Sequence, residues 1–103
     1  NLVLNALDAM RDQTEETRRI WLSTRLENDE GVRVSVVDSG PGVDPEIIET
    51  MFDSFSTTKS HGMGLGLALC RTFVEAQRGN IQAENLPKGG AKISFWLPLG
   101  RDV

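Results

Sequence analysis

Histidine and cysteine are almost absent from this chain of 103 residues, with His61 and Cys70 the single examples of each. One cysteine permits no internal disulfide, and one of each cannot assemble a Cys/His zinc cluster. A lone cysteine also fits a reducing compartment. With one histidine and no nucleophile motif, a Ser-His-Asp arrangement lacks support. A basic excess is missing as well: the net charge is −4, which argues against sequence-independent nucleic-acid binding. A few local donors can still hold a phosphate inside an acidic protein. Apolar runs extend only a handful of residues, so none reads as a membrane-spanning helix, and the opening residues do not read as a signal segment. The length allows one domain with one core.

What is present begins with NLVLNALDAM, apolar enough for a buried helix. Asn1, Asn5, Asp8 and Asp12 nevertheless share an arc of about 60° at helical spacing. Asn and Asp are poor helix formers, and a plain solvent face would more often carry Lys, Glu or Gln. The stripe is therefore either a short polar side turned to water or a carboxamide face that wants a ligand. Asn1 has no cap before it, so the expectation is a fragment entered inside a helix already under way.

Residues 1–13 read as helix. The segment ETRRIWLSTRLEN alternates, with Ile20, Leu22, Thr24 and Leu26 on one face. NDEG then turns the chain, and VRVSVVD alternates again, so 18–38 reads as a hairpin. Two glycines and two prolines in SGPGVDP break the strand, after which Asp44 caps a short helix with Pro45 at its first position. DSFSTTKSHGMG reads as loop. GLGLALCRTFVEAQRG reads as a helix with Leu69, Cys70, Phe73 and Val74 along one side, closed by Gly79. NIQAEN and AKISFWLP form a second hairpin around LPKGG. Four strands and three helices in this order predict an α+β fold, a two-layer sandwich with helices on one face of a mostly antiparallel sheet. Trp21, Val37 and Trp96 fall on the other face, an apolar surface that an upstream segment is expected to cover.

Three glycine-bearing segments remain. VVDSGPGV ends a strand on Asp38, and by itself it reads more readily as a turn than as a site. A carboxylate at a buried strand end needs donors. The adenine amine supplies one, whereas guanine offers a carbonyl there and is repelled. Gly40 and Gly42 would let backbone approach a flat base. HGMGLGL sets Gly62, Gly64 and Gly66 before a helix start, where free N–H groups and the dipole favour phosphate. It is neither a Walker loop nor a dinucleotide fingerprint. Between them, Ser56, Thr57, Thr58 and Lys59 offer hydroxyls and a point charge, in a stretch that reads as a solvated loop or a mobile lid.

Taken in order, NLVLNALDAM, VVDSGPGV, MFDSFSTTK and HGMGLGLAL resemble the N, G1, F and G2 boxes of the sensor histidine kinase catalytic domain. That domain belongs to a superfamily shared with DNA gyrase, heat-shock chaperone ATPases and mismatch-repair ATPases. The likeness runs from residue 1 to about 99, with GGAKISFWLPL as the closing strand, and it implies a Bergerat-type fold that binds ATP and Mg²⁺. Asn5 would give its side-chain oxygen to Mg²⁺, with Asn1 beside it toward the phosphates, in keeping with a metal that takes few protein oxygens. Asp38 would receive the adenine amine, and Gly40 and Gly42 would shape the base pocket. Phe52 and Phe55 would anchor the lid, and Thr57, Thr58 and Lys59 would approach the phosphates. The segment Gly62, Met63, Gly64, Leu65, Gly66 and Leu67 would cradle them.

The resemblance also implies a separate upstream dimerisation domain that carries the phosphoacceptor histidine, a homodimer in the full-length protein, and a response regulator served indirectly. It implies no nucleic acid, no direct membrane contact in this segment, and a cytoplasmic location for it. Two positions depart from the family pattern: Asp8 replaces a frequent basic residue and Ala91 a frequent Thr. Hydrolytic relatives carry a Glu one turn before the metal-binding Asn, where this chain has Asn1, so no general base for water is evident. ATP would be held for phosphoryl transfer to a histidine. The competing reading is a non-catalytic nucleotide-binding or scaffold module on the same fold. His61 lacks the context of an acceptor, so no catalytic residue is expected within this segment.

Overall fold

The computed structural model describes residues 1–53 and 66–100. Both predicted hairpins form. Strand β1 (Ile20–Glu27) pairs antiparallel with β2 (Gly31–Asp38), and β3 (Asn80–Asn85) with β4 (Ala91–Pro98). The β2–β4 pairing joins them into one antiparallel sheet of order β1-β2-β4-β3. The first turn places Asn28 and Asp29 at φ of 53° and 57°. Two successive left-handed residues make the tight connection whose twist matches the strands, and Asn and Asp tolerate that region best. The second turn uses Gly89 and Gly90 at φ of 101° and 88°.

Register divides the sheet as the alternation predicts. One face carries Ile20, Val36, Ile93, Phe95, Ile81 and Ala83 into the core, and the helices lie over it. Helix α1 (Leu2–Ala9) sends Leu2 and Ala6 onto Val36 and Ile93. Helix α2 (Pro45–Ile48) contributes Ile47 and Ile48, followed by buried Met51. Helix α3 (Gly66–Ala76) packs Leu67 and Cys70 against the same cluster. These observations are the predicted α+β sandwich. Among the described residues, no helix is long and apolar enough to cross a membrane.

On the opposite face lie Trp21, Arg25, Glu27, Arg33, Val37, Lys92 and Trp96. Trp96 lies over Gly31, where any side chain would strike the indole. Glu27 accepts from Arg33 at 2.8 Å and from Arg25 at 2.9 Å, and these guanidiniums, Arg33 foremost, hold its carboxyl below the ordinary 4.5.

Several boundaries differ from the sequence reading. The first helix stops at Ala9 rather than residue 13, so Asp12 leaves the polar stripe. Met10, fully buried, fixes the exit, and the amides of Met10 and Arg11 bond three residues back instead of four. Arg18 then donates to the carbonyls of Arg11 and Gln13 beyond the helix end. A 3₁₀ turn at Glu15–Thr17 follows, which the alternation did not show. Of the stripe assigned to α3, Val74 is buried and Cys70 packs on the core, while Leu69 and Phe73 stay 47% and 64% exposed. The helix ends through Arg78 at φ 67° rather than through Gly79. Gly79 is demanded for another reason: a Cβ there would run into the Trp96 carbonyl.

Candidate functional site

The segment after β2 is where the structure concentrates its constraints. Asp38, on the helix-facing side of the sheet, is 5% exposed. Its Oδ1 accepts the Gly40 N–H at 2.8 Å, an Asx turn that begins the SGPG loop. Among the described residues Oδ2 accepts no hydrogen bond. A carboxylate oxygen left over on so buried a residue is placed to take a charge-assisted hydrogen bond from a ligand that reaches it. The side chain is thus half committed to the fold and half available.

The loop is fastened on both flanks. Toward β1, the Ser39 hydroxyl accepts the Arg19 N–H at 2.8 Å and donates to the Thr17 carbonyl at 2.8 Å, while the Ser39 N–H donates to the Arg19 carbonyl. Toward β3, Asn85 pairs with both backbone groups of Val43. Gly42 stands at φ +88°, and a Cβ on it would lie 2.8 Å from Asn85 Oδ1. A Cβ on Gly40 would lie 3.0 Å from Asp38 Oδ1 and 3.4 Å from the Ala9 carbonyl. Gly42 is therefore demanded by its left-handed backbone, and Gly40 by a tight fit in which a Cβ would push its neighbours, among them the end of α1, by a few tenths of an ångström.

The loop ends at Asp44, whose carboxylate accepts the Glu46 N–H at 2.9 Å and caps α2 with Pro45 at its first turn, as the sequence implied. Beyond α2, Phe52 packs against the core cluster and Met51 is buried in it. Of this pair, only the aromatic is conspicuous in the sequence, and the methionine is the more deeply buried. Leu67 joins the same cluster from the start of α3. Asn5, half-buried, sits on α1 immediately before Ala6, and its backbone N–H donates to the Asn1 carbonyl at 2.9 Å in the first helical turn. Asn1 itself is the N-cap, with no side-chain capping bond.

The structure thus brings Asp38, Gly40 and the end of α1 together, and it sets Phe52 and Leu67 on one core with the buried face of α1. Phe55, Thr57, Thr58, Lys59, Gly62, Met63, Gly64 and Leu65 lie outside the described residues, as does His61. Gly66 opens α3. Among the described residues, no three His, Cys, Asp or Glu side chains form a metal-binding group. Sequence reasoning missed Ser39 and Asn85. A polar residue directly after a strand-end Asp, and an Asn ending a strand before a glycine turn, are the only signals either one gave.

This geometry agrees with what comparison finds. The model of the histidine kinase-, DNA gyrase B-, and HSP90-like ATPase family matches residues 1–101, and the chain belongs to that family. It is 40% identical over 101 residues to the sensor histidine kinase TmoS of Ectopseudomonas mendocina, covering 96% of this chain and 10% of that protein. It is 38% identical over 98 residues to the sensor protein FixL of Bradyrhizobium diazoefficiens, covering 95% of this chain and 19% of that one. The chain therefore spans only a minor part of the curated relatives it matches. Among solved structures, the catalytic domain of histidine kinase ThkA superposes with a TM-score of 0.74 at 35% identity, over 94% of this chain and 59% of that one. Full-length ShkA, solved in complex with AMPPNP, superposes with a TM-score of 0.75 at 28% identity, over 97% of this chain and 21% of that one.

Proposed function

We propose that this chain binds Mg-ATP between α1 and the Asp38–Val43 loop and presents the γ-phosphoryl group to a histidine on a separate dimerisation domain. The observation that carries the reading is the uncommitted oxygen of buried Asp38. Among the described residues it receives no protein donor, it stands at the end of a central strand, and the exocyclic amine of adenine completes it. Guanine, with a carbonyl in that place, would face the carboxylate with like polarity. The solved ShkA complex with AMPPNP supports an adenine nucleotide as the ligand.

The donor set also fits magnesium. The metal would take the neutral carboxamide oxygen of half-buried Asn5 on α1 and complete its shell with phosphate and water. Bound there, Mg²⁺ would screen phosphate charge. Asn1, one turn before Asn5, offers no proton acceptor near neutral pH, so the site favours holding ATP over hydrolysing it. Thr57, Thr58, Lys59, Phe55 and the amides of Gly62, Met63, Gly64, Leu65 and Gly66 are proposed to close over the phosphates. Phe52 and Leu67 would support that closure from the core. The acceptor histidine, the homodimer and a response regulator would belong to the rest of the protein.

Isothermal titration with ATP and with GTP, each with magnesium and with EDTA, tests the proposal. Magnesium-dependent preference for ATP is expected. Equal binding of the two purines, or none of either, would reject it and favour a scaffold role for the fold.

A further inference from the structure

Asn85 ends β3, remote in sequence from every box that suggested the site, yet it makes a two-point contact with the base-side loop. The Val43 N–H donates to Asn85 Oδ1 at 2.7 Å, and Asn85 Nδ2 donates to the Val43 carbonyl at 2.7 Å. A side-chain carboxamide here imitates the reciprocal pairing of a residue in an antiparallel strand. Only an amide can do this: a carboxylate lacks the donor, and a hydroxyl cannot span both groups. The contact extends the reach of the β3–β4 hairpin onto a loop that belongs to no strand. Gly42 allows it, since a Cβ at its φ of +88° would stand 2.8 Å from the same Oδ1. At the other end of the turn after β3, Gly90 approaches the Asp38 carbonyl too closely for any side chain. The hairpin therefore grips the loop at both ends, at Asp38 and at Val43.

We infer that Asn85 is a positioning residue for nucleotide recognition, holding the Gly40–Gly42 backbone where a base can lie against it with Asp38 at its edge. The inference rests on the nucleotide site proposed above. It predicts an effect on recognition from a residue that touches no ligand. With Asn85 truncated, both Val43 groups turn to water and the loop leaves its single pose, so adenine must reorder it on binding.

The test compares the unmutated chain with Asn85→Ala and Asn85→Asp. Three quantities are read: ATP and GTP affinity by calorimetry, exchange of the Val43 amide by NMR, and the thermal melt. Asn85→Ala should speed Val43 exchange and weaken ATP binding by about three- to tenfold, the scale of one or two neutral hydrogen bonds. The ATP-over-GTP ratio should shrink with it. Asn85→Asp keeps the acceptor for the Val43 N–H and should recover part of the exchange protection and of the affinity. Should Asn85→Ala lose its cooperative melt, the Asp variant carries the comparison. A folded variant that keeps the unmutated affinity and purine ratio overturns the inference and leaves the nucleotide reading standing. Failure of the unmutated chain to bind ATP overturns both.

Discussion

Gly90 sits against the backbone carbonyl of Asp38 so closely that no side chain fits between them. The end of β2 and the start of β4 thereby share one narrow seam, and Asp38 is held from behind by main chain rather than by a side chain. An alanine at position 90 would have to displace the strand end carrying the carboxylate, and its φ of 88° is already unfavourable for any Cβ. Gly90→Ala should cost about 1–3 kcal/mol of stability. Chemical denaturation of the two forms measures this.

Removing the charge of Asp38 while keeping its shape separates recognition from folding. In Asp38→Asn the remaining carboxamide oxygen can still accept the Gly40 N–H, so the Asx turn persists. The other position becomes an amide donor facing the adenine amine. ATP affinity should fall about 10- to 100-fold, the range of a charge-assisted hydrogen bond turned to opposed donors, while the melting temperature changes little. Parallel calorimetry and melting curves on the variant give both quantities.

Asn5→Ala removes the proposed protein oxygen from magnesium. ATP binding should lose its magnesium dependence, with affinity in saturating Mg²⁺ reduced by about tenfold or more. Titrations at several magnesium concentrations, and in EDTA, distinguish loss of metal coupling from general weakening. The unmutated chain should respond to the metal and the variant should not.

The outer sheet face supplies a pH prediction independent of ligand. Arg33 and Arg25 hold the Glu27 carboxyl below its ordinary value, so the folded state binds this proton less readily than the unfolded chain. The contribution is fully present above the ordinary carboxylate range and is lost as pH falls through the depressed folded value. Glu27→Gln should accordingly narrow the stability gap to the unmutated chain as the medium is acidified below about pH 4.5. Urea titrations at neutral and acid pH show whether the two curves converge.

Sheet and hairpins were legible because alternation is a strong signal. Val32, Val34 and Val36 repeat at a spacing of two, and the turns carry residues that accept positive φ. Asp44 and Pro45 announced α2 by the chemistry of capping. The end of α1 was not legible, because burial of Met10 and the reach of Arg18 to the carbonyls of Arg11 and Gln13 are tertiary events. Leu22 and Leu26 show the limit of periodicity: both lie on the core side of β1, yet they are 64% and 53% exposed, because β1 is an edge strand. At the site, Asp38 could be singled out since a strand-end acid before glycines is conspicuous. Asn85 could not, because its partner is backbone 42 residues away.

Arg19 and Thr17 grasp one shoulder of the Asp38–Val43 segment through Ser39, and Asn85 grasps the other. This side of the proposed nucleotide site therefore behaves as an anvil. Its shape is settled when the two hairpins dock, before any nucleotide arrives, and the entropy of arranging it belongs to folding. A ligand seated on such a surface reports on the whole sheet, so a lesion far out on either hairpin would register as weaker occupancy, and a tightly held purine would raise the temperature at which both hairpins come apart.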